Sequence, residues 1–353
     1  MNLEDKKIAV LCITENGKEL GLKIKKLINQ SDVYYVKKDF TPSDDKAIYI
    51  NKRLKEFVID IFDKYDYIIF IMATGIVVRT IAPLVVSKFS DPAILVSDEK
   101  GRNIISLLSG HMGGANEMTL YLSDLLSSNP VITTATDVND KSSLDMIAKK
   151  LNAYIDDFRD NVLKINSMIV NNETVGLYID GDYKVDDRGF INCSKNEIES
   201  MKELVVITNK KNLEIKNNNI IKVVPRDLVI GIGCKRNTES AHMINSLKEL
   251  LDKENIDINA VKEIGSIDIK QDEEAIINLS EYLGVPFKVF TADEISKVDY
   301  LYDKSQWVKQ NVGVYSVAEP VAHLLSNGNL IIKKHKYNGI TFSVGRIDIW
   351  YTL

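Results

Sequence analysis

The stretch that decides the fold is KIAVLCITENGKELGLKIKKLIN, residues 7–29. Its apolar run from Lys7 to Ile13 is typical of a buried parallel strand, and the polar residues 14–17 end that run. From residue 18 onwards the apolar side chains recur at helical spacing. A strand followed by such a helix is the repeating unit of a parallel α/β sheet.

The same alternation continues along the N-terminal part of the chain. Strands are predicted at 33–36 and 67–72 with a helix between them, so the chain opens β-α-β-α-β, as a doubly wound parallel sheet does. Further strands are predicted at 93–96 and 103–108. We expect those two to pair as a hairpin in which Gly101 has a positive φ. A helix at 115–126 and a strand at 131–134 complete this part.

The chain has 353 residues, which is more than one hydrophobic core usually supports. We predict an α/β fold in three parts. Residues 1–139 form an N-terminal doubly wound parallel-sheet domain, 140–224 a small middle α/β segment, and 225–353 a C-terminal α/β domain.

Composition narrows the class of partner. There are 45 Lys and Arg against 50 Asp and Glu, a net charge of −5, which argues mildly against a nucleic-acid partner. The chain has no apolar stretch of membrane-span length, and Met1–Asp5 lacks the layout of a signal peptide. Three scattered cysteines indicate free thiols in a reducing compartment. We expect a cytoplasmic protein without membrane contact.

Three glycine-containing turns, at 72–75, 109–116 and 231–237, follow predicted strands. We expect them at the carboxyl edge of a sheet, where glycine lets the backbone approach a ligand and helix N-termini attract anions. Each is equally a tight turn without function. The dinucleotide fingerprint and the P-loop are both incomplete, so the expected anion is a carboxylate and not a nucleotide phosphate. Five basic residues could bind it: Arg79, Lys88, Arg102, Lys235 and Arg236.

His111 is the most suggestive single residue, because it lies in a glycine-flanked turn where an imidazole could face a ligand. An imidazole changes charge near neutral pH, which suits proton transfer. The alternative is a histidine that only caps the next helix. Glu117 and Asp98 could supply a carboxylate, or be ordinary acids of a helix start and a turn. No His or Cys lies at ligand spacing nearby, so no protein-bound metal is predicted.

Long motifs in the N-terminal part resemble the signature of the cobalt-precorrin-5A hydrolases of anaerobic cobalamin biosynthesis. They are ATGIVVRTIAPL at 73–84, LLSGHMGGANE at 107–117 and TTATD at 133–137. Shorter elements resemble a domain shared with a small cobalamin-biosynthesis protein of the aerobic pathway. They are GIGC at 231–234, IDIKQDE at 267–273 and VAEP at 317–320. The resemblance covers nearly the whole chain, although 140–224 matches only in position and length.

This resemblance implies a reaction. The substrate would be a cobalt-bearing, ring-contracted tetrapyrrole whose δ-lactone is opened by water, and the two-carbon bridge would leave as acetaldehyde to give cobalt-precorrin-5B. Cobalt would arrive inside the substrate, and no protein cofactor would be needed. His111 would be the base or acid, with Glu117 and Asp98 as further catalytic candidates. N–H groups at 74–75 and 113–115 would hold an oxyanion.

The remaining candidates would bind the substrate, whose carboxylate arms account for the basic residues among them. They are Thr74, Gly75, Arg79, Lys88, Ser109, Gly113, Gly114, Asn116, Thr133, Thr134, Asp137, Gly233, Lys235, Lys270 and Glu319. Several have local alternatives, since strand-end hydroxyls satisfy backbone groups and acids cap helices. The expected protein partners are a second copy of the chain, in a homodimer, and other cobalamin-biosynthesis enzymes in transient contacts. The competing functions are a non-catalytic carrier of corrinoid intermediates and an unrelated nucleotide-binding enzyme.

Overall fold

A computed structural model describes residues 3–36, 46–87 and 90–348. The chain divides between Lys141 and Ser142 into two compact units. Within the described residues, no helix is long and apolar enough to span a membrane.

The first unit contains a seven-stranded sheet of order β3-β2-β1-β4-β5-β6-β7. Its strands are β1 (Ile8–Cys12), β2 (Ser31–Val36), β3 (Ile48–Ile50), β4 (Tyr67–Ile71), β5 (Ala93–Ser97), β6 (Asn103–Leu108) and β7 (Asn129–Val131). Its helices are α1 (Glu15–Leu27), α2 (Leu54–Ile61), α3 (Thr74–Ile81), α4 (Ala115–Leu126) and α5 (Ala135–Val138).

The strands of this sheet from β3 to β5 run parallel, which confirms the doubly wound arrangement. β1, β4 and β5 are buried along their whole length. Alternate side chains of β1 face opposite sides: Ile8 and Val10 pack with α1 and α4, and Ala9 and Leu11 pack with α2 and α3.

The predicted hairpin is confirmed, because β5 and β6 pair antiparallel and Gly101 has φ 64° in the turn between them. The strand predicted at 131–134 lies earlier in the chain than expected. β7 comprises Asn129–Val131, where it pairs with the start of β6, and Thr134 is already the N-cap of α5.

The second unit begins with α6 (Leu144–Lys150) and α7 (Phe158–Val170), which pack on a four-stranded parallel sheet of order β11-β10-β8-β9. Its strands are β8 (Gly176–Ile179), β9 (Ile191–Asn192), β10 (Leu204–Ile207) and β11 (Ile220–Val223). Ion pairs of 2.6 Å, Lys211–Asp252 and Lys222–Asp257, join this part to the elements that follow.

A five-stranded sheet of order β14-β13-β12-β16-β15 completes the second unit. Its strands are β12 (Leu228–Cys234), β13 (Val261–Ile267), β14 (Phe287–Phe290), β15 (Leu330–Tyr337) and β16 (Ile340–Arg346). The helices are α8 (Ser240–Lys253), α9 (Glu274–Leu283), α10 (Ala292–Ser296), α11 (Gln306–Val312) and α12 (Ala318–Ser326). The first three strands are parallel, and β15 and β16 form an antiparallel pair beside β12.

Glycine in β12 allows α12 to lie directly on this sheet. A Cβ at Gly231 would come within 2.0 Å of the carbonyl oxygen of Ala318 and 2.6 Å of the amide nitrogen of Ala322. Residues 231–234 form the end of β12 and not the turn that the sequence predicts. Glycine is required at 231 because any side chain there would overlap the backbone of α12.

The two sheets of the second unit lie on either side of the predicted boundary between 224 and 225. The division into three domains stays a prediction, because the two compact units show which residues pack together and not which parts fold independently.

Candidate functional site

The direction of β6 decides where the glycine-rich turn lies. β6 runs against β5, with Leu108 beside Ile94 and Ile104 beside Ser97. β6 therefore ends at the edge where β4 and β5 begin, about 17 Å from the edge where they end, given a rise of about 3.4 Å per residue. The expectation that the turns at 72–75 and 109–116 share one edge is wrong, because a strand that reverses direction delivers its end to the opposite edge.

Three backbone hydrogen bonds close the turn at 109–116 and start α4. The N–H groups of Gly114, Ala115 and Asn116 donate to the carbonyl oxygens of His111, Ser109 and Gly110, at 3.1, 3.1 and 3.0 Å. Gly114, the N-cap of α4, has φ 86°. These N–H groups are thus occupied, and Gly114 and Ala115 cannot serve as the oxyanion donors that the resemblance implies. Among the residues described, the Gly113 N–H has no acceptor.

His111 and Asp137 form the central contact of this edge. Nε2 of His111 lies 2.7 Å from Oδ2 of Asp137 and 3.1 Å from the Thr136 hydroxyl. The short helix α5 carries both of those partners. The His111 side chain is 17% exposed and that of Asp137 38%, so a ligand from solvent can reach the pair. A carboxylate beside an imidazole orients the ring and fixes its tautomer.

Asn116 lies behind Asp137 and is only 5% exposed. Its Nδ2 donates to Asp137 Oδ2 at 2.9 Å and to the Thr134 hydroxyl at 3.0 Å. Its Oδ1 accepts from the Ser106 hydroxyl at 2.6 Å. The amide groups of Asn116 bind the protein itself, so the expectation of a substrate-binding Asn116 is not supported by its contacts. Nothing in the sequence points to Ser106, which is a single hydroxyl in an apolar strand.

Ser109 is also directed inward. It is 8% exposed, adopts φ 57°, and its hydroxyl donates to the carbonyl oxygen of Asp91 at 3.1 Å. The Asp91 carboxylate in turn accepts the N–H groups of Val86 and Ser87. The turn is therefore tied to the loop before β5. Lys88 of that loop lies outside the described residues.

Thr133 and Glu117 are exposed at this same part of the sheet. Glu117 makes no hydrogen bond or ion pair with any described residue, and the structure does not bring it to His111. Its charge acts on Tyr67: burial first, and then the Glu117 carboxylate, raise the pKa of Tyr67 to about 12.

A cavity of about 510 Å³ lies at the other edge, where β1 and β4 end and the chain switches sides of the sheet. Polar and apolar side chains share its lining, including Thr14, Met72, Thr74, Asp98, Glu99 and Asn103.

Besides Thr74, three of the predicted residues lie at or beside this edge: Gly75, Arg79 and Asp98. The exposed Arg79 donates from Nη1 to the Gly75 carbonyl oxygen at 3.0 Å. Asp98 is held in the hairpin turn: burial would raise its pKa, but the N–H groups of Asn103, Arg102 and Lys100 outweigh burial and lower it. An acid held ionised in this way, and at the edge opposite His111, is unsuited to the proton transfer predicted for it.

Four predicted residues belong to the second unit. Gly233 lies near the end of β12 and Lys235 is exposed just beyond it. Lys270 and Glu273 form a buried ion pair of 3.0 Å. Glu319 is 5% exposed; its Oε1 accepts the Lys334 N–H at 3.2 Å, and its Oε2 has no partner among the described residues.

A metal site does not emerge from the described ranges, which contain no group of three or more His, Cys, Asp or Glu side chains placed to hold an ion.

Comparison with known proteins covers most of the chain. Three family models match, described as Cobalamin synthesis G N-terminal (residues 56–137), Cobalamin biosynthesis central region (142–224) and Cobalamin synthesis G C-terminus (228–345). A solved structure described as a homologue of cobalamin biosynthesis protein G, from Sulfolobus solfataricus, is 25% identical. It covers 97% of each chain with a TM-score of 0.42.

The fold and the three family models define an α/β protein of cobalamin biosynthesis. Cobalt-precorrin-5A hydrolase from Salmonella typhimurium is 41% identical over 290 residues, covering 80% of this chain and 83% of the relative. The enzyme of the same name from Priestia megaterium is 30% identical over 356 residues, covering 96% and 94%. The chain belongs to the cobalt-precorrin-5A hydrolase family. The family predicted from the motifs is thus confirmed, and with it the expectation of a hydrolase of cobalamin biosynthesis.

Proposed function

We propose that this chain hydrolyses cobalt-precorrin-5A, opening its δ-lactone and releasing acetaldehyde to give cobalt-precorrin-5B. The relatives named for this substrate support the choice of substrate. The single observation that carries the mechanism is the 2.7 Å contact between His111 Nε2 and Asp137 Oδ2. It is the arrangement that a general base requires: an imidazole that ligands can reach, oriented by a carboxylate.

His111 activates water in the first step. Because the Asp137 carboxylate only accepts hydrogen bonds, Nε2 carries the proton in neutral His111, and Nδ1 carries the lone pair. That nitrogen takes a proton from water as the oxygen attacks the lactone carbonyl. The N–H of Gly113 is a donor on this turn that can stabilise the oxyanion. Collapse of the intermediate breaks the ester C–O bond, and the departing alkoxide takes the proton held by His111. The products of this step are a carboxylic acid, which ionises, and a free hydroxyl.

The hydroxyl freed in the first step then drives cleavage of the C–C bond that joins the two-carbon unit to the macrocycle. Loss of its proton forms the carbonyl of acetaldehyde, and the electron pair of the broken C–C bond stays on the conjugated macrocycle, whose carbon then takes a proton. The sum is substrate plus water giving product plus acetaldehyde. No resident cofactor enters this balance, since cobalt arrives as part of the substrate.

The acetate and propionate arms of the substrate need cationic or N–H partners. Arg79 and Lys235 are exposed and form no ion pair with any described residue, so both stay candidates for these arms. Thr74 and Gly75 begin α3 beside the cavity, and their backbone N–H groups have no acceptor among the described residues. They are candidates to bind a carboxylate arm of the substrate, or the apolar edge of the macrocycle from which such an arm extends.

Acetaldehyde release tests the proposal. Purified protein is mixed anaerobically with cobalt-precorrin-5A, and acetaldehyde is trapped with alcohol dehydrogenase and NADH. Stoichiometric acetaldehyde is expected from the wild type and from His242→Ala, in which a half-buried histidine of α8, outside the candidate site, is removed. Tight corrinoid binding without acetaldehyde would overturn the proposal in favour of a carrier.

A further inference from the structure

A line of polar contacts runs from the middle of β6 to the His111 pair. The Ser106 hydroxyl donates to Asn116 Oδ1 at 2.6 Å, and Asn116 Nδ2 donates to Asp137 Oδ2 at 2.9 Å. Asp137 Oδ2 is also the atom that lies 2.7 Å from His111 Nε2. Two donors therefore converge on a single carboxylate oxygen.

The orientation of the Asn116 amide follows from its partners. An ionised carboxylate only accepts hydrogen bonds, so the NH2 group of Asn116 must face Asp137 and its carbonyl oxygen must face Ser106. The second N–H of the amide goes to the Thr134 hydroxyl at 3.0 Å. With both N–H groups and the oxygen engaged, the amide has one arrangement that satisfies every partner.

Packing leaves the amide no room to move. A Cβ at Gly110 would lie 2.8 Å from Asn116 Oδ1 and 3.1 Å from Nδ2, so the backbone of the turn is already against the amide. The Asn116 backbone is fixed as well, because its N–H donates to the Gly110 carbonyl oxygen at 3.0 Å. The amide is thus a rigid support behind the carboxylate.

Asp137 needs such a support. It lies on a four-residue helix and its side chain is 38% exposed, so its carboxylate could otherwise rotate into solvent. We infer that Ser106 and Asn116 are positioning residues, which hold Oδ2 of Asp137 in place and so keep the proton of neutral His111 on Nε2. The inference rests on the proposed function for its catalytic consequence, but the tautomer itself is measurable without substrate.

The test compares Ser106→Ala with Ser123→Ala. Ser123 is buried and Ser106 half-buried, but the Ser123 hydroxyl has no hydrogen-bond partner among the described residues, whereas Ser106 supports Asn116. Imidazole ¹⁵N shifts of labelled protein report the tautomer of each of the four histidines, and His111→Gln assigns the His111 signals. The expected result is an Nε2–H form in the wild type and Ser123→Ala, and a mixture of tautomers in Ser106→Ala.

Turnover supplies a second readout. Ser106→Ala and Asn116→Ala are expected to lower kcat by about 10- to 100-fold with KM nearly unchanged, as misplaced catalytic groups do. In an Asp137→Asn background, Asn116→Ala should cost nothing more, because the group it positions is gone. Ser106→Thr, which keeps the hydroxyl, should recover the Nε2–H form.

The outcomes separate the two proposals. A wild-type tautomer in Ser106→Ala, or additive losses in the Asn116 and Asp137 double variant, overturns the positioning role even if His111 is essential. A shifted tautomer together with full activity of His111→Ala supports the positioning role and overturns the proposed base. If Asn116→Ala does not fold, the Ser106 and Ser123 pair decides alone.

Discussion

The imidazole of His111 and the carboxylate of Asp137 meet at 2.7 Å although 26 residues separate them along the chain. The contact forms because β6 and β7 run side by side in the same direction, so the turn after β6 and the helix after β7 emerge at one edge. The pair is thus a product of the sheet order and not of local sequence.

Asp137→Asn is expected to lower turnover by about two to four orders of magnitude, the usual contribution of a positioned general base. The amide can donate to Nε2, which would place the proton on the wrong nitrogen. Initial rates of acetaldehyde formation measure the effect. Asp124→Asn, an exposed change on α4, is the matched control and should leave the rate unchanged. Equal rates in both variants would show that Asp137 has no catalytic part.

Gly231→Ala is expected to destabilise the protein by about 3 kcal/mol, because the added Cβ would overlap the Ala318 carbonyl of α12. Gly233→Ala, two residues along the same strand, meets nothing closer than 3.6 Å and should change stability by less than about 0.5 kcal/mol. Thermal or urea unfolding of both variants measures the difference. Similar melting points would contradict the close packing of α12 on β12.

Lys270→Met is expected to cost about 3–5 kcal/mol, because it leaves the buried Glu273 carboxylate without its 3.0 Å partner. The double change Lys270→Met, Glu273→Leu should recover much of that loss, since no buried charge remains. Urea midpoints of the two variants decide the point. A double variant less stable than Lys270→Met would indicate that Glu273 is stabilised by Thr238 and Arg236 without the lysine.

Asp98→Asn is expected to lower stability at neutral pH by about 1 kcal/mol, the value of a hydrogen bond to a turn carboxylate. Because the folded-state pKa of Asp98 is lowered, its stabilisation is full above the unfolded value of 3.8 and is lost as pH falls through the folded value. Unfolding free energies of wild type and variant should therefore converge in acid. A gap that stays constant with pH would contradict the ionised carboxylate in the turn.

The core of the fold could be predicted because its strands are buried on both faces. Runs such as Ile8–Cys12 and Tyr67–Ile71 are apolar throughout, and the helices between them show a clear apolar stripe. The strand Val261–Ile267 was missed, since Lys262, Glu263 and Gly265 interrupt its apolar run. This strand is buried because it lies between β12 and β14, which are distant from it in sequence.

The candidate site was only partly predictable. His111 and Asp137, each predicted from its own motif, are in contact, but Asp98 and Thr74 lie at the opposite edge. The sequence predicts the hairpin at Gly101. It does not show that the hairpin reverses β6 and so carries the turn after β6 to the opposite edge of the sheet. The N–H groups of residues 113–115 were predicted as oxyanion donors. Two of the three, those of Gly114 and Ala115, donate to carbonyl oxygens within the folded turn, which the sequence does not show.

The most direct test of the central claim is a single-turnover measurement on His111→Ala. Enzyme in excess is mixed anaerobically with cobalt-precorrin-5A, and the rate of acetaldehyde release is compared with that of the wild type, with corrinoid binding measured in parallel. The account predicts that His111→Ala binds the corrinoid and releases acetaldehyde about 10²- to 10⁴-fold more slowly. Release at the wild-type rate would contradict it and place the chemistry elsewhere in the protein.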